Sequence, residues 1–541
     1  MPIGQRVAFI GGGHNALIAA FYLAKGGFKP LVLERRDMVG GGAITEEFHP
    51  GFHASTLAHT TGPLRKDILE DMQLEKSGCV ILRPDPRVFA PRPDGQYLLF
   101  LEDAARTAAG IAPLSAKDAE KYPQFAASLE AISGFFAELC SITPPDIESP
   151  SPEDLWNLFK TGRHARRLGK KGIFDLLRWG PMAVADFVSE FFETEVLRAT
   201  IASRGIFGTA FGPWSGGSTA VLLLRAAVDA HPAGSATFPV GGLGALTRAL
   251  AEAAKAAGAE IRTNAEVQHI RVEDGAVRGL VLTDGEEIPI EAAVSGADPK
   301  RTFFKLLDPA QLDPTFALRI RNLRASGTIA KVNLALNGLP AFSALANSDS
   351  ALKSLSGRIH IGPDLDYLER AFDASKYGEF SAAPYLDVTI PTILDPALAP
   401  DGKHVLSACV QFTPFKLAAA SADGKSIVKS EDNWAARRYD LGEAVVRTLA
   451  TYAPNLPSLV EHMQVITPHD LETAYGFTSG HIFHGELALD QLFTMRPVLD
   501  SARYKTPIRG LYLCGSGTHP GNGLTGSSGA NAAREIIRDL R

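Results

Sequence analysis

The sequence predicts an α/β fold in which a Rossmann-like domain is interleaved with a second domain of mixed α+β character, and three observations carry this prediction. A glycine-rich turn, Gly11-Gly12-Gly13, follows the first apolar run and precedes a helical pattern and a second apolar run. A second glycine-rich segment, residues 511–523, returns near the C-terminus. The 541 residues also exceed the size of a single simple core.

The N-terminal elements follow one another in the order of a βαβ unit. Residues 6–10 predict a short buried strand, residues 13–26 a helix, and residues 30–34 a second strand. The Gly26-Gly27 pair ends the helix, as glycine commonly does. This order is the structural context in which a Gly-x-Gly-x-x-Ala motif indicates dinucleotide binding.

Similar short elements recur further along the chain. An alanine-rich helix is predicted over 245–257, four short strand-like runs follow within 259–290, and a last helix begins at about Ala530. The segments between these regions mix helical patterns with many prolines. We assign to the cofactor-binding domain residues 1–74, 236–300 and 491–541, and to the substrate-binding domain residues 75–235 and 301–490.

The first glycine motif predicts how the two phosphates of a dinucleotide are held. Gly11 lets the chain turn out of the strand, Gly13 leaves room for the pyrophosphate, and Ala16 lets helix and strand pack closely. The free N–H groups at the helix N-terminus favour phosphate. A carboxylate at Glu34 can accept hydrogen bonds from the ribose hydroxyls and would repel a 2′-phosphate. The contacts expected in this segment are Gly11, Gly13, His14, Asn15, Ala16 and Glu34.

A second glycine cluster follows the second predicted strand. We expect Arg35 or Arg36 to reach phosphate, with a solvated turn as the alternative. Gly41, Gly42 and Ala43 are expected to bring the backbone close to the ligand.

Several motifs together resemble phytoene desaturase-type FAD oxidoreductases, and within them the pyridine nucleotide-disulphide oxidoreductase domain-containing protein 2 group. The motifs are Gly-x-Gly-His-Asn-Ala at 11–16, Val-Gly-Gly-Gly-Ala at 39–43, Pro-Val-Gly-Gly-Leu-Gly at 239–244, Ser-Gly-Ala-Asp-Pro at 295–299 and Tyr-Leu-Cys-Gly-Ser-Gly-Thr-His-Pro-Gly-Asn-Gly at 512–523. The resemblance implies non-covalent FAD, an interleaved amine oxidase-like or phytoene desaturase-like fold and redox chemistry on an apolar substrate. The further cofactor contacts expected are Val267, Gly515, Ser516, Gly523 and Leu524.

The sequence contains no obvious catalytic triad, which suits chemistry performed by a flavin. His519 and His484 are the polar candidates beside the flavin; a loop-shaping role for His519 and a packing role for His484 are the alternatives. The four cysteines are far apart and form no Cys-x-x-Cys pair, so we expect neither a dithiol centre nor a metal site.

Charge and hydropathy limit the partners. The formal charge of −6 gives no reason to expect nucleic acid, and no run approaches the roughly 18 apolar residues of a spanning helix. Residues 160–179 combine basic and apolar side chains, which suits an interfacial helix at an anionic membrane; a solvated insertion or a homo-oligomer interface is the alternative. We expect a cytoplasmic protein, with peripheral membrane contact left open.

Three functions are compatible with the sequence. The first is an FAD-dependent oxidoreductase acting on C–C or C=C bonds of an isoprenoid- or carotenoid-like substrate, with oxygen or a quinone as acceptor because no second nucleotide fingerprint occurs. The second is a flavoprotein oxidase of the amine type. The third is an FAD-binding regulatory protein with little turnover.

Overall fold

A computed structural model describes residues 5–60, 62, 64–420, 427–521 and 523–541. Among these residues the strands are β1 (Arg6–Ile10), β2 (Lys29–Leu33), β3 (Thr45–His49), β4 (Phe52–Ser55), β5 (Ile81–Leu82), β6 (Val88–Pro91), β7 (Tyr97–Phe100), β8 (Phe238–Pro239), β9 (Glu260–Arg262), β10 (Val267–Glu273), β11 (Ala276–Leu282), β12 (Glu287–Pro289), β13 (Ala293–Ser295), β14 (Ile329–Leu336), β15 (Arg358–Ile361), β16 (Leu386–Thr389), β17 (His404–Gln411), β18 (Leu417–Ala420), β19 (Ile427–Ser430), β20 (Val460–Ile466) and β21 (Leu511–Leu513).

The α-helices of the same described ranges are α1 (His14–Lys25), α2 (Lys66–Asp71), α3 (Ala104–Ile111), α4 (Ala116–Ser141), α5 (Pro152–Arg167), α6 (Gly169–Trp179), α7 (Val184–Ser189), α8 (Glu195–Ile206), α9 (Ser218–Ala226), α10 (Leu243–Ala256), α11 (Pro299–Phe304), α12 (Pro314–Asn322), α13 (Ala351–Ser354), α14 (Leu365–Lys376), α15 (Trp434–Ala450), α16 (Leu456–Leu459), α17 (Pro468–Thr473) and α18 (Ser527–Leu540).

A five-stranded parallel sheet forms the Rossmann-like half. Its strand order is β21-β13-β1-β2-β9, so three distant parts of the chain meet in one sheet. Helices α1, α10 and α18 pack on one face, and the antiparallel sheet β10-β11-β12 covers the other. The strands are therefore buried on both faces, which explains why they are short, continuous apolar runs. The predicted α/β class and its βαβ start are confirmed.

The last helix begins earlier than the sequence indicates. Residues Ser527 to Gly529 look like a loop by composition, yet α18 begins at Ser527 after Gly526 in a left-handed conformation. The reason is close packing, because a Cβ added at Gly529 would lie 2.2 Å from the carbonyl oxygen of Asn15 on α1. Small residues at the start of α18 let the N-terminal ends of α1 and α18 approach each other.

A seven-stranded mixed sheet forms the second half, in the order β20-β14-β17-β16-β15-β6-β7. Only the pair β15 and β6 is parallel among these described strands. One face packs on α15, and the other packs on the helical layer that includes α4, α7, α8 and α9. Both segments assigned to the substrate-binding domain contribute strands to this sheet, and the exact domain boundaries remain a prediction.

The described helices include none that is both long and apolar enough to cross a membrane. Helices α5 and α6 instead carry several large apolar side chains on their exposed surface. These exposed side chains are Leu155, Trp156, Leu158, Phe159, Phe174 and Leu177.

Candidate functional site

One cavity of about 370 Å³ lies between the two sheets. One side of it is formed where the parallel strands end, at Ile10, Leu33, Gly296 and Gly515. The opposite side is formed by residues of β14 to β17 and of helices α8 and α9. Ligands bind at the carboxyl ends of parallel strands in this class of fold, so the first side is the expected position for a dinucleotide. We call the two sides the dinucleotide wall and the substrate wall.

The glycine turn leaves its backbone open to the cavity. Gly11 has a φ of +90°, which only glycine adopts readily. Gly13 precedes α1 with a φ of −68°, no side chain caps this helix, and a Cβ added at Gly13 would meet nothing within 4 Å. Because the start of α1 lines the cavity and has no side-chain cap, its first N–H groups could hold a pyrophosphate.

Glu34 is fixed in place by the backbone around it. Its Oε2 accepts a hydrogen bond from the Gly12 N–H at 2.7 Å, and its Oε1 accepts one from the Arg36 N–H at 3.0 Å. The side chain is 7% exposed and lines the cavity. Each carboxylate oxygen keeps a further lone pair, so Glu34 can both hold the glycine turn and accept a ribose hydroxyl.

The two arginines after Glu34 line the cavity but already have protein partners. Arg35 donates to the Ala474 carbonyl at 2.6 Å, and Arg36 forms an ion pair with Glu46 and lies over the Tyr475 ring at 4.9 Å. A phosphate contact from either side chain would use N–H donors that these partners leave unused, and it stays a prediction.

The second glycine cluster lies partly on the wall. Gly41 and Gly42 line the cavity, and a Cβ added at Gly42 would lie 3.3 Å from the Phe477 ring. Ala43 is buried behind them and does not line the cavity; its carbonyl accepts a hydrogen bond from Thr247 Oγ1 at 2.9 Å. The structure thus gives Ala43 a packing position rather than a surface facing the ligand.

The C-terminal glycine segment completes the dinucleotide wall from the other end of the chain. Val267, Gly515, Ser516, Gly523 and Leu524 all line the cavity, as do His14, Asn15 and Ala16. The Asn15 side chain joins the two chain ends, since its Nδ2 lies 3.5 Å from Ser516 Oγ and its Oδ1 accepts from the Gly529 N–H at 3.2 Å. Asn15 therefore fixes the α1 turn against the returning segment.

These features fit FAD. On the dinucleotide wall, glycine leaves no Cβ at the position expected for the pyrophosphate, and no side chain caps the N-terminus of α1. The carboxylate of Glu34 is fixed at the position expected for the ribose. His14 Nε2 is buried on this wall and has no hydrogen-bond partner among the described residues. Burial, followed by repulsion from His484, lowers the pKa of His14 to about 4, so its imidazole is neutral at pH 7.

The two histidines considered for catalysis occupy different positions. His484 lines the cavity beside Phe477, with ring centroids 5.3 Å apart, and burial lowers its pKa. His519 does not line the cavity; its Nε2 is 2.8 Å from the Leu139 carbonyl, and its ring packs on the edge of Phe493. For His519 this geometry fits the loop-shaping alternative.

A polar cluster that the sequence patterns did not reveal lies at the substrate wall, where His59, Asp387 and Cys409 line the cavity and Lys331 lies behind them. Lys331 Nζ lies 2.8 Å from His59 Nδ1 and 3.8 Å from Cys409 Sγ, and His59 Nε2 lies 3.6 Å from Asp387 Oδ1. Lys331, Cys409 and Asp387 lie side by side because β14, β17 and β16 are neighbours in the sheet. The sequence contained one signal of this cluster: Lys331 lies in the middle of an apolar strand, and a buried lysine needs a polar partner.

Three arginines also line the substrate wall: Arg204 on α8, Arg225 on α9 and Arg358 on β15. They are separated in sequence by many residues, so no local motif could have grouped them. No group of three or more His, Cys, Asp or Glu side chains suited to a metal occurs within the described ranges.

The comparisons with known proteins agree with this geometry. The sequence matches the family described as flavin containing amine oxidoreductase over residues 17–537. It is 34% identical to pyridine nucleotide-disulfide oxidoreductase domain-containing protein 2 of Rattus norvegicus, over 98% of this chain and 93% of that protein. It is 28% identical to a limonene dehydrogenase subunit of Castellaniella defragrans, over 99% and 94% of the two chains.

Two further similarities are more distant. The chain is 26% identical to the lycopene-forming phytoene desaturase of Pseudescherichia vulneris, over 99% of this chain and 100% of that protein. Its fold is similar to that of a putrescine oxidase solved with putrescine bound, with a TM-score of 0.59, 14% identity and 99% coverage of both chains.

Proposed function

The chain belongs to the flavin-containing amine oxidoreductase family and is an FAD-dependent oxidoreductase, and from that premise we propose that it oxidises or reduces carbon–carbon bonds of an isoprenoid-like substrate. The resemblance to phytoene desaturase-type enzymes indicated by the motifs is confirmed. The observation that carries the proposal is the composition of the cavity, where apolar side chains such as Phe207, Ile329 and Phe483 lie beside the dinucleotide wall.

The residues of this chain provide binding, orientation and exclusion of water. FAD, when bound, supplies hydride acceptance or donation at its N5 atom. The α1 N-terminus and Gly13 would hold its pyrophosphate, and Glu34 its adenosine ribose. Leu57, Phe207 and Phe483 line the same cavity with apolar surface, which keeps a C–H bond away from water. His484 is the polar side chain placed to hold or move a proton beside this surface.

Anaerobic flavin reduction tests this proposal. The FAD-loaded protein is mixed with a monoterpene, a polyene or an aliphatic amine, and the flavin absorption is followed. We expect the hydrocarbons to bleach the flavin and the amine to leave it oxidised, because the substrate wall carries several guanidinium groups that would repel an ammonium. Bleaching by the amine alone would favour the amine oxidase function. Reoxidation of dithionite-reduced flavin by a hydrocarbon, without bleaching, would show reduction of the carbon–carbon bond, and neither bleaching nor reoxidation by any of them would favour the regulatory function.

We also propose that oxygen or a quinone reoxidises the flavin. Mixing the reduced protein with each acceptor, and the oxidised protein with NADH or NADPH, tests this. Saturable reduction by a nicotinamide would contradict the proposal.

We also propose that helices α5 and α6 bind an anionic membrane surface. Phe174 and Leu177 are 66% and 73% exposed, and exposed Lys160, Lys170 and Lys171 lie on the same two helices. Apolar side chains flanked by lysines match an interface of anionic lipids. We expect the protein to sediment with phosphatidylserine vesicles more than with phosphatidylcholine vesicles, and F174D to abolish this. Equal sedimentation with both, or self-association without lipid, would contradict it.

A further inference from the structure

The three arginines of the substrate wall have mostly neutral partners. Arg204 donates to the carbonyls of His231 and Asp229 at 2.5 and 2.7 Å. Arg225 donates to the carbonyl of Arg204 at 2.9 Å and to that of Phe207. A guanidinium has five N–H donors, so both side chains keep donors that these bonds do not use. Carbonyl groups fix the orientation of a guanidinium without neutralising its charge.

Carboxylates are too few to balance these arginines. Arg358 pairs with Asp387, and Arg87 pairs with Asp229 at 2.7 Å and with the exposed Glu102 at 2.5 Å. In the described part of the chain, neither Arg204 nor Arg225 lies within ion-pair distance of a carboxylate. The wall therefore carries an excess of buried positive charge, an arrangement that is unfavourable unless an anion joins it.

Glu486 forms no ion pair with these arginines among the described residues. One of its oxygens accepts the Ala210 N–H at 2.9 Å and the other accepts the Leu487 N–H at 3.1 Å. Burial raises the pKa of Glu486 above its usual value. Burial and then repulsion by Arg204 lower the pKa of Arg225 to about 9.

A second observation concerns a buried donor of Arg358. Its Nε is buried and has no hydrogen-bond partner among the described residues, and the side chain lines the cavity. Asp387 Oδ1 and His59 Nε2, on the same wall, face each other at 3.6 Å and are therefore not left alone. A buried donor is rarely left unpaired, so the position of Arg358 Nε indicates that a polar ligand group belongs there.

The surroundings of Arg225 define the rest of the ligand. Its guanidinium lies 5.4 Å from the centres of the Phe207 and Phe483 rings. A Cβ added at Gly523, on the dinucleotide wall, would lie 3.9 Å from Phe483. The Phe483 ring therefore lies between the guanidinium of Arg225 and the glycine segment of the dinucleotide wall. A ligand that spans the cavity meets guanidinium groups at one end and apolar surface along the way.

We propose that the substrate is an amphipathic anion, whose carboxylate or phosphate is bound by Arg204, Arg225 and Arg358 while its apolar chain lies towards the dinucleotide wall. The proposal rests on the proposed function for the nature of the chain. Guanidinium groups recognise carboxylate and phosphate through paired N–H donors, so both headgroups share this chemistry. The phosphates of the cofactor have their own place at α1, which is on the opposite wall.

The test is equilibrium binding to the FAD-loaded protein by titration calorimetry, without turnover. The probes share one farnesyl chain and differ in the headgroup: farnesol, farnesoic acid, farnesyl phosphate and farnesylamine. We expect the acid or the phosphate to bind at least about tenfold more tightly than the alcohol, and the amine most weakly. The anion that binds with the higher affinity identifies the headgroup of the substrate. Because no reaction is needed, failure of flavin reduction would contradict the proposed function and leave this result intact.

Variants sharpen the test. R225M should lower the affinity for the anionic probe to that for farnesol while leaving farnesol affinity and FAD content unchanged. R225K keeps the charge without the paired donors and should give an intermediate affinity. R321M, on the exposed surface of α12, is the matched control and should change nothing. Three results would each overturn the proposal. The wild-type protein could bind farnesol and both anions with equal affinity, it could bind neither anion, or R225M could lose equal affinity for the alcohol and the anion.

Discussion

The two walls of the cavity are built in different ways. The dinucleotide wall is mainly backbone: glycines, the N–H groups of α1, and one carboxylate held by the glycine turn. The substrate wall is mainly side chains, with Arg204, Arg225 and Asp387 contributed by different helices and strands. A backbone-built site depends on local conformation, whereas a side-chain-built site depends on which distant elements become neighbours.

This difference has a consequence for mutation. On the dinucleotide wall, adding a side chain should weaken FAD binding as much as removing one, because the pyrophosphate needs the space that glycine leaves. On the substrate wall, the charge and the donors of each side chain matter, and changes there should leave FAD in place. Variants on each wall test this separation.

The largest effect is expected for G13V. The φ of −68° accepts a non-glycine residue, and a Cβ at this position meets nothing within 4 Å of the protein. We therefore expect a folded protein that has lost FAD, because the new side chain fills the space of the pyrophosphate. Circular dichroism and released flavin measure the two quantities. G134V on α4, where a Cβ likewise meets nothing, is the control. Full flavin content in G13V would show that the pyrophosphate lies elsewhere.

E34A should have a smaller but clear effect. The change removes the acceptor for the Gly12 and Arg36 N–H groups and for the ribose, at about 1.5–3 kcal/mol for a charged acceptor. FAD affinity should fall by the corresponding factor, measured by fluorescence titration of the apoprotein. E34Q keeps one acceptor oxygen and should lose less. Unchanged affinity in both variants would mean that Glu34 serves only the turn.

The same difference explains what the sequence could predict. The βαβ unit, the turn at Gly11 and Gly13, and the returning segment at Gly515 follow from local spacing, and the structure places all of these glycines on one wall. His519 looked equally suitable as a residue of this wall. Its position, however, depends on a contact with Leu139 on α4, which is 380 residues away in sequence. Arg225 carried no signal because an arginine in a helix is usually solvated. Its role depends on α9 being buried, which only the assembled fold determines.

K331M tests the independence of the substrate wall. Burial by itself would raise the pKa of the Cys409 thiol, but the Lys331 ammonium and His59 hold it below its usual value. Removing the ammonium should raise this pKa and slow alkylation of Cys409 by iodoacetamide about tenfold per unit of pKa. C409S is the control, because any labelling that remains in it comes from Cys79, Cys140 or Cys514. FAD content should not change, and a variant that loses FAD would show that the two walls are coupled.

The smallest effect is a change in the pH dependence of stability. Burial lowers the pKa of His519 to about 4, against an ordinary value of 6.5, so the unfolded chain binds a proton that the folded chain does not in this interval. The free energy of unfolding should therefore fall as the pH drops from about 6.5 to about 4, by about 1.4 kcal/mol per pH unit for each such histidine. H519Q keeps a donor for the Leu139 carbonyl but has no group that titrates in this range. Its free energy of unfolding, measured with denaturant, should therefore fall less steeply than that of the wild type as the pH drops. H269Q, at a partly exposed site on β10, is the control. If H519Q has the slope of the wild type but loses flavin reduction, His519 acts at the flavin rather than in the loop.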